Sequence, residues 1–181
     1  MKKEQQILLD MDGVLVDFVS GALSALNRDF NKDITIERYV KEFGLWEMYD
    51  YYGISIKQFW DSIHNTPDFW YNLQPLPWYK ELYKLLSELG LVTIVTTPSI
   101  DPSCAEQKLR WLRDYMDIDS TQVLMGTRKS LLVGNGILID DYYGNVEKFK
   151  GFGGEAILIP STWNTNGLTF ERIKNTILNR R

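Results

Sequence analysis

Two short acidic runs carry the most chemistry in this 181-residue chain, Asp10-Met11-Asp12-Gly13 and Leu138-Ile139-Asp140-Asp141. Each follows an apolar stretch that reads as a strand, so both pairs fall at strand carboxyl ends, and Gly13 lets the chain turn sharply away from the first. If those ends adjoin in one sheet, four carboxylates share a small volume, and their repulsion raises their pKa values unless a cation sits among them. An all-oxygen donor set suits Mg²⁺ better than zinc, with substrate phosphate oxygens completing the shell. A carboxylate so placed can attack phosphorus and form an acyl phosphate, turning one hard displacement into two easier ones. Asp10 is the candidate nucleophile. Asp12 is the candidate acid and base, protonating the leaving oxygen and then activating water. Neutralising a phosphate dianion beside carboxylates also demands a Lys or Arg. Thr96 and Thr97 close another apolar run and offer a hydroxyl and a backbone N–H, while Lys129 precedes Asp140 by eleven residues.

The elements that must position these groups follow from periodicity. Apolar runs at 6–9, 91–96, 122–125, 136–139 and 155–159 lack alternation, as strands buried on both faces do. Between them, 78–89 places Leu82, Leu85, Leu86 and Leu89 on one helical face and stops at Gly90, read here as a left-handed C-terminal residue. Ser103 with Glu106 reads as a capping box opening the next helix. Alternating strand and helix predict an α/β fold, a doubly wound three-layer parallel sheet of Rossmann-like type. One crossover is too long, because residues 12–90, 79 in all, lie between the first strand and the second, where a whole βαβ unit needs only about 30. Helical spacing at 17–30, 35–43 and 55–65, the last opened by a Ser55/Gln58 capping box, predicts a small inserted helical cap. The expected division is an α/β core of 1–17 and 75–181 with a cap of 18–74.

Composition narrows the class. Lys plus Arg at 20 against Asp plus Glu at 24 gives a net charge of −4, with no global field for nucleic acid or an anionic membrane. One cysteine, Cys104, excludes an internal disulfide framework and fits a reducing compartment. No secretory leader or spanning run is readable, so a soluble cytoplasmic protein is expected. From Phe43 to Tyr83 lie 13 of the 24 aromatic residues, with two lysines against five acids, so the segment lacks the positive groove a nucleic acid polymer needs. Most of those rings should form the cap's own core. His64, the one histidine, reads as a surface or structural residue, and Cys104 as a structural thiol. Asp-x-Asp-Gly by itself is also ordinary turn chemistry, and Asp140-Asp141 by itself is also helix-capping chemistry.

Taken together, Asp10–Leu15, the Thr-ended strand 92–97, Thr127-Arg128-Lys129 and Ile139-Asp140-Asp141 resemble, in order, the four motifs of the haloacid dehalogenase superfamily. Asp17-Phe18, Trp46, Trp60, Leu73-Gln74-Pro75-Leu76-Pro77 and Lys108-Leu109-Arg110-Trp111 extend the similarity to the 5′(3′)-deoxyribonucleotidase family. The resemblance implies a Mg²⁺-dependent phosphomonoesterase whose partner is a small nucleotide substrate, a deoxyribonucleoside monophosphate, with Asp10 as nucleophile and Asp12 as acid/base. It implies a metal held by the Asp10 side chain, the Asp12 carbonyl and Asp140/Asp141, and phosphate contacts from Thr96, Thr97, Lys108 and Lys129. It implies a nucleoside pocket of Phe18, Leu45, Trp46 and Trp60 with Arg128 nearby. Thr97 stands where a Ser is usual, Ile100 where many relatives are basic, and Leu45 where an aromatic is usual. Thr127-Arg128-Lys129 is one residue shorter than the usual spacing. The residues themselves leave two rivals open: a phosphatase for another small phosphate such as a sugar phosphate, and a receiver-like module that takes up phosphate on one Asp as a switch. Oligomeric state is encoded in none of these motifs.

Overall fold

The computed structural model describes residues 5–161 and 169–179; residues 1–4, part of the run searched for a leader, lie outside them. Five strands are described: β1 (Gln6–Leu9), β2 (Leu91–Thr96), β3 (Val123–Met125), β4 (Ile137–Asp140) and β5 (Glu155–Leu158). They form one sheet in the order β3-β2-β1-β4-β5, with every pairing parallel. The described helices are α1 (Phe18–Phe30), α2 (Ile36–Glu42), α3 (Met48–Tyr52), α4 (Ile56–His64), α5 (Tyr79–Leu89), α6 (Ser103–Met116), α7 (Tyr143–Gly151) and α8 (Phe170–Leu178).

Alternate strand residues enter opposite layers, which is why the runs are apolar without a gap. Ile7, Leu9, Ile94, Ile139 and Ile157 join one cluster, while Leu8, Val95, Leu138 and Ala156 join another. Leu86 of α5, Trp111 of α6 and Ile173 of α8 fill the first layer, and Val146 and Phe149 of α7 fill the second. The sheet is therefore doubly wound, as the alternation predicts. It grows from β1 through β2 to β3, then returns to β4 on the other flank of β1. That reversal makes a crevice at the carboxyl ends of β1 and β4, where open α/β sheets hold their ligands. Leu9 pairs with Ile139, so Asp10 and Asp140 leave the sheet side by side.

Helices α1 to α4 occupy the long crossover. Asp17 caps α1 by accepting from Ser20 N, Thr35 caps α2 by accepting from Arg38 N, and Ser55 and Gln58 form the expected capping box on α4. Each cap contributes about 1 kcal/mol. Helix α3 has no side-chain cap and only five residues before Gly53 turns left-handed at φ 66°, too short to show a period in sequence. The segments leading into and out of these helices are joined: Asp17 N donates to Gln74 O at 2.8 Å and Leu76 N to Leu15 O at 2.9 Å.

Two local expectations are corrected. Gly90 is extended, with φ 176°, and glycine is required there because a Cβ would lie 2.1 Å from Gln5 O. Ser103 does not cap α6; it is the first helical residue, and Asp101 receives both its N–H (3.0 Å) and its hydroxyl (2.7 Å).

Candidate active site

The site begins with β1. Beyond Leu9, Asp10 N donates to Ile139 O at 2.9 Å, which extends the β1–β4 pairing to the carboxylate-bearing residue. Asp10, Asp140 and Asp141 are all buried, and one carboxylate oxygen of each lies within 4.8 Å of the others. Gly13, at φ 76°, is what admits Asp141: a Cβ there would sit 2.0 Å from Asp141 Oδ2. The two acidic pairs thus converge on one rim, and three of the four side chains form a compact oxygen cluster suited to a hard cation.

Two buried lysines serve this rim in different ways. Lys129 Nζ donates at 2.7 Å to Asp10 Oδ1 and at 2.7 Å to Asp140 Oδ2, and the residue lines the cavity described below. Lys108, wholly buried on α6, pairs with Asp12 and donates to Thr96 Oγ1 and to the Thr97 carbonyl, each at 2.9 Å. Its ammonium also sits 4.8 Å from the centre of the Trp70 ring. An ammonium has three N–H donors, so Lys108 has used all of its own, whereas among the described residues Lys129 engages two and keeps one. Thr96 is buried and accepts from Lys108; Thr97 lines the cavity and its hydroxyl donates to Gly126 O at 3.3 Å.

The electrostatics follow from burial among like and unlike charges. Burial pushes the Asp12 carboxyl up; Lys108 opposes this, Asp10 adds to it, and the net favours the protonated acid. Asp12 Oδ1 is buried without a hydrogen-bond partner among the described residues. Burial and then Asp10 push Asp140 up to about 6, although Lys129, Tyr142 N (2.9 Å) and Asn145 Nδ2 (3.0 Å) favour its carboxylate. Burial alone would lower Lys129, but Asp10 and Asp140 more than offset it and hold the ammonium charged. Burial also pushes the Cys104 thiol up, Lys108 partly opposing it, consistent with a structural thiol.

A cavity of about 390 Å³ opens onto this rim and is walled by the inserted helices. Asp10, Asp12, Asp141, Lys129 and Thr97 form its floor, and Phe18, Trp46 and Trp60 its apolar side. Phe18 is clamped between Trp46 and Trp70 at ring separations of 5.1 and 5.6 Å. Leu45 and Arg128, both expected at the pocket, do not line it. Leu45 is 52% exposed and contributes a carbonyl that accepts from Tyr39 Oη, while Arg128 is exposed beside a separate surface cleft behind β3. Trp70, Tyr142, Asn145 and Ser99, which belong to none of the motifs read from sequence, also line the cavity, as does His64, which the sequence suggests is a surface or structural residue. For Asn145 a signal exists, since it lies on the first turn of α7 and returns to Asp140.

The parallel sheet order, the inserted helices and the acid-bearing strand ends define a haloacid dehalogenase-like hydrolase. Among solved structures, a haloacid dehalogenase-like family hydrolase from Streptococcus pneumoniae superposes with a TM-score of 0.58 at 17% identity, covering 97% of this chain and 92% of that one, a likeness of fold. Residues 4–177 match the family described as 5′ nucleotidase, deoxy (pyrimidine), cytosolic type C protein. A Bordetella pertussis protein provisionally named a 5′(3′)-deoxyribonucleotidase is 32% identical over 137 residues, 75% of this chain and 73% of its own. The human 5′(3′)-deoxyribonucleotidase of cytosolic type is 27% identical over 146 residues, 78% of this chain and 72% of its own. The chain belongs to the 5′(3′)-deoxyribonucleotidase family. No helix among the described residues is long and apolar enough to cross a membrane.

Proposed function

We propose that the protein is a Mg²⁺-dependent phosphomonoesterase that hydrolyses deoxyribonucleoside monophosphates through a phosphoryl group carried on Asp10. The observation that carries this reading is the meeting, in one aromatic-walled cavity, of Asp10 bound by Lys129 and Asp12 held apart by Lys108. Lys129 fixes Asp10 Oδ1 and leaves Oδ2 to attack phosphorus, forming the Asp10–phosphorus bond as the ester P–O bond breaks. Asp12, whose carboxyl is pushed up by burial, gives its proton to the departing sugar oxygen. As a carboxylate it then takes a proton from the water that cleaves the acyl phosphate, which releases inorganic phosphate and restores both residues.

The donor set fits Mg²⁺. Asp10, Asp140 and Asp141 would hold it together with the Asp12 carbonyl, and when bound it supplies positive charge against the phosphate dianion. Lys129 has an N–H left for a phosphate oxygen, as has the backbone of Thr97; Lys108 and Thr96 act behind them by orienting Asp12. Phe18, Trp46 and Trp60 receive the nucleoside, and residues 18–74 act as a closing cap. A reducing, cytoplasmic setting agrees with a single, buried cysteine. Phosphate release is to be measured across deoxy- and ribonucleoside monophosphates and sugar phosphates, with Mg²⁺ or with EDTA. Turnover of deoxynucleotides only with the metal supports the reading, and turnover of sugar phosphates alone refutes it.

A further inference from the structure

His64 is the single histidine of the chain and sits at the end of α4, where its sequence context suggests only a surface or structural role. The structure gives it three relations at once. Its ring stacks on Trp60 at 5.8 Å with planes 21° apart. Its Nε2 lies 3.1 Å from Ser99 Oγ, on the core loop two residues past Thr97. It also lines the cavity that holds Asp10 and Lys129. Ser99 is itself fixed, its hydroxyl oxygen accepting from Asp101 N at 3.0 Å and its N–H donating to Cys104 Sγ at 3.3 Å. Nε2 is committed to this anchored hydroxyl, and among the described residues no hydrogen bond reaches Nδ1. The two ring nitrogens are chemically distinct, and the bond made by one fixes what the other offers. If Ser99 donates to Nε2, Nδ1 carries the hydrogen and is a donor.

We propose that His64 is a specificity-determining residue whose Nδ1 hydrogen-bonds the sugar hydroxyl of the nucleotide. The proposal rests on the nucleotidase reading above and deepens it. Position selects the sugar: His64 joins the aromatic side that receives the base, through Trp60, to the loop that follows the phosphate-binding Thr97, through Ser99. A nucleoside monophosphate laid between those walls brings its sugar past the residue that connects them. A site that supplies a hydrogen-bond partner for a hydroxyl discriminates against the analogue lacking it, because the protein group is then left unpaired.

The test compares a 2′-deoxynucleoside 5′-monophosphate with its 2′,3′-dideoxy analogue in wild type and in three variants, each checked by thermal melting. In the wild type kcat/KM favours the deoxy substrate by about 10-fold, the size of one such hydrogen bond. His64→Phe keeps a stacking ring and should shrink that preference to about twofold or less. His64→Asn keeps a donor near the Nδ1 position and should retain more of it than His64→Gln, which keeps only a group able to reach Ser99; this pair decides the matter if His64→Phe does not fold. Equal deoxy/dideoxy ratios in wild type and His64→Phe, or a ratio that survives in His64→Gln but not in His64→Asn, would overturn the assignment while leaving the nucleotidase reading intact. Release of phosphate from p-nitrophenyl phosphate but from no nucleotide would instead remove that reading, and this proposal with it.

Discussion

The rim of the sheet and the wall of the inserted helices build one cavity by opposite means. On the rim, buried charges are held by short bonds to one another: Lys129 between Asp10 and Asp140, Lys108 among Asp12, Thr96 and Thr97. On the wall, Phe18, Trp46, Trp60 and Trp70 meet mostly ring to ring, with few polar atoms engaged. A charge network tolerates little change, because deleting one partner of a buried pair leaves the other uncompensated, at a cost of about 3–5 kcal/mol. An aromatic wall loses contact area by degrees. Chemistry should therefore fail abruptly with changes on the rim, and substrate preference should drift with changes on the wall.

The sharpest test of that contrast is Asp10→Asn, expected to lower kcat by about 10⁵-fold or more with the melting temperature little changed; turnover within about 100-fold of the wild type would remove Asp10 as the nucleophile. Next come the lysines. Lys129→Met should cut kcat by about 10³-fold through the loss of a donor to the phosphate. Lys108→Met, which takes the partner from Asp12, and Lys129→Met, which takes it from Asp10 and Asp140, should each also lower stability by about 3–5 kcal/mol. If denaturant melts show either lysine variant as stable as the wild type, the buried pairing drawn around that ammonium is wrong. On the wall, Trp60→Ala should reduce kcat/KM for nucleotides by about 10- to 100-fold, chiefly through KM, as the loss of one base-stacking surface does.

A smaller and graded effect is expected with pH. Asp140, raised to about 6, binds a proton in the folded metal-free protein that the unfolded chain releases near 4. Its contribution to metal-free stability is complete below about pH 4 and is lost as the pH rises through about 6. Metal binding requires the carboxylate, so the rise in melting temperature on adding Mg²⁺ should grow over the same window, and Asp140→Asn should flatten it. The smallest change is expected from Arg128→Ala, within about twofold in kcat/KM, because the side chain is exposed outside the cavity.

How much of this was legible in sequence differs between the same two regions. The rim could be read because acid pairs after apolar runs announce strand ends and Gly13 reads as a turn; that Gly13 also makes room for Asp141, 128 residues on, is a packing fact that no local pattern carries. That β1 and β4 are neighbours is a long-range fact of sheet order; periodicity does not encode it, and only the resemblance of the motifs pointed there. The separate duties of Lys108 and Lys129 could not be divided in advance, since both precede or follow a motif at plausible spacing and differ only in what surrounds each ammonium. On the wall, Phe18, Trp46 and Trp60 were found, but Leu45 turned outward and Trp70 and His64 were passed over. Aromatic density says that a small helical unit needs a core; which rings also face a ligand depends on packing angles that no spacing rule fixes. Ser103 failed as a cap for a local reason, because Asp101 competes for the same donors with a full charge.

The two strands of chain that leave the sheet for the inserted helices and return from them are stitched together at Asp17–Gln74 and Leu76–Leu15. The segment between them leaves and rejoins the sheet as one excursion closed at its base, with Phe18, Trp70 and Leu73 packed into the sheet's own core cluster. Lengthening such a loop costs only about 0.6 kcal/mol per doubling. An insert of another length would therefore cost the sheet half little in closure entropy, provided it still packs where Phe18, Trp70 and Leu73 now do, while the carboxylates at the strand ends stay where they are.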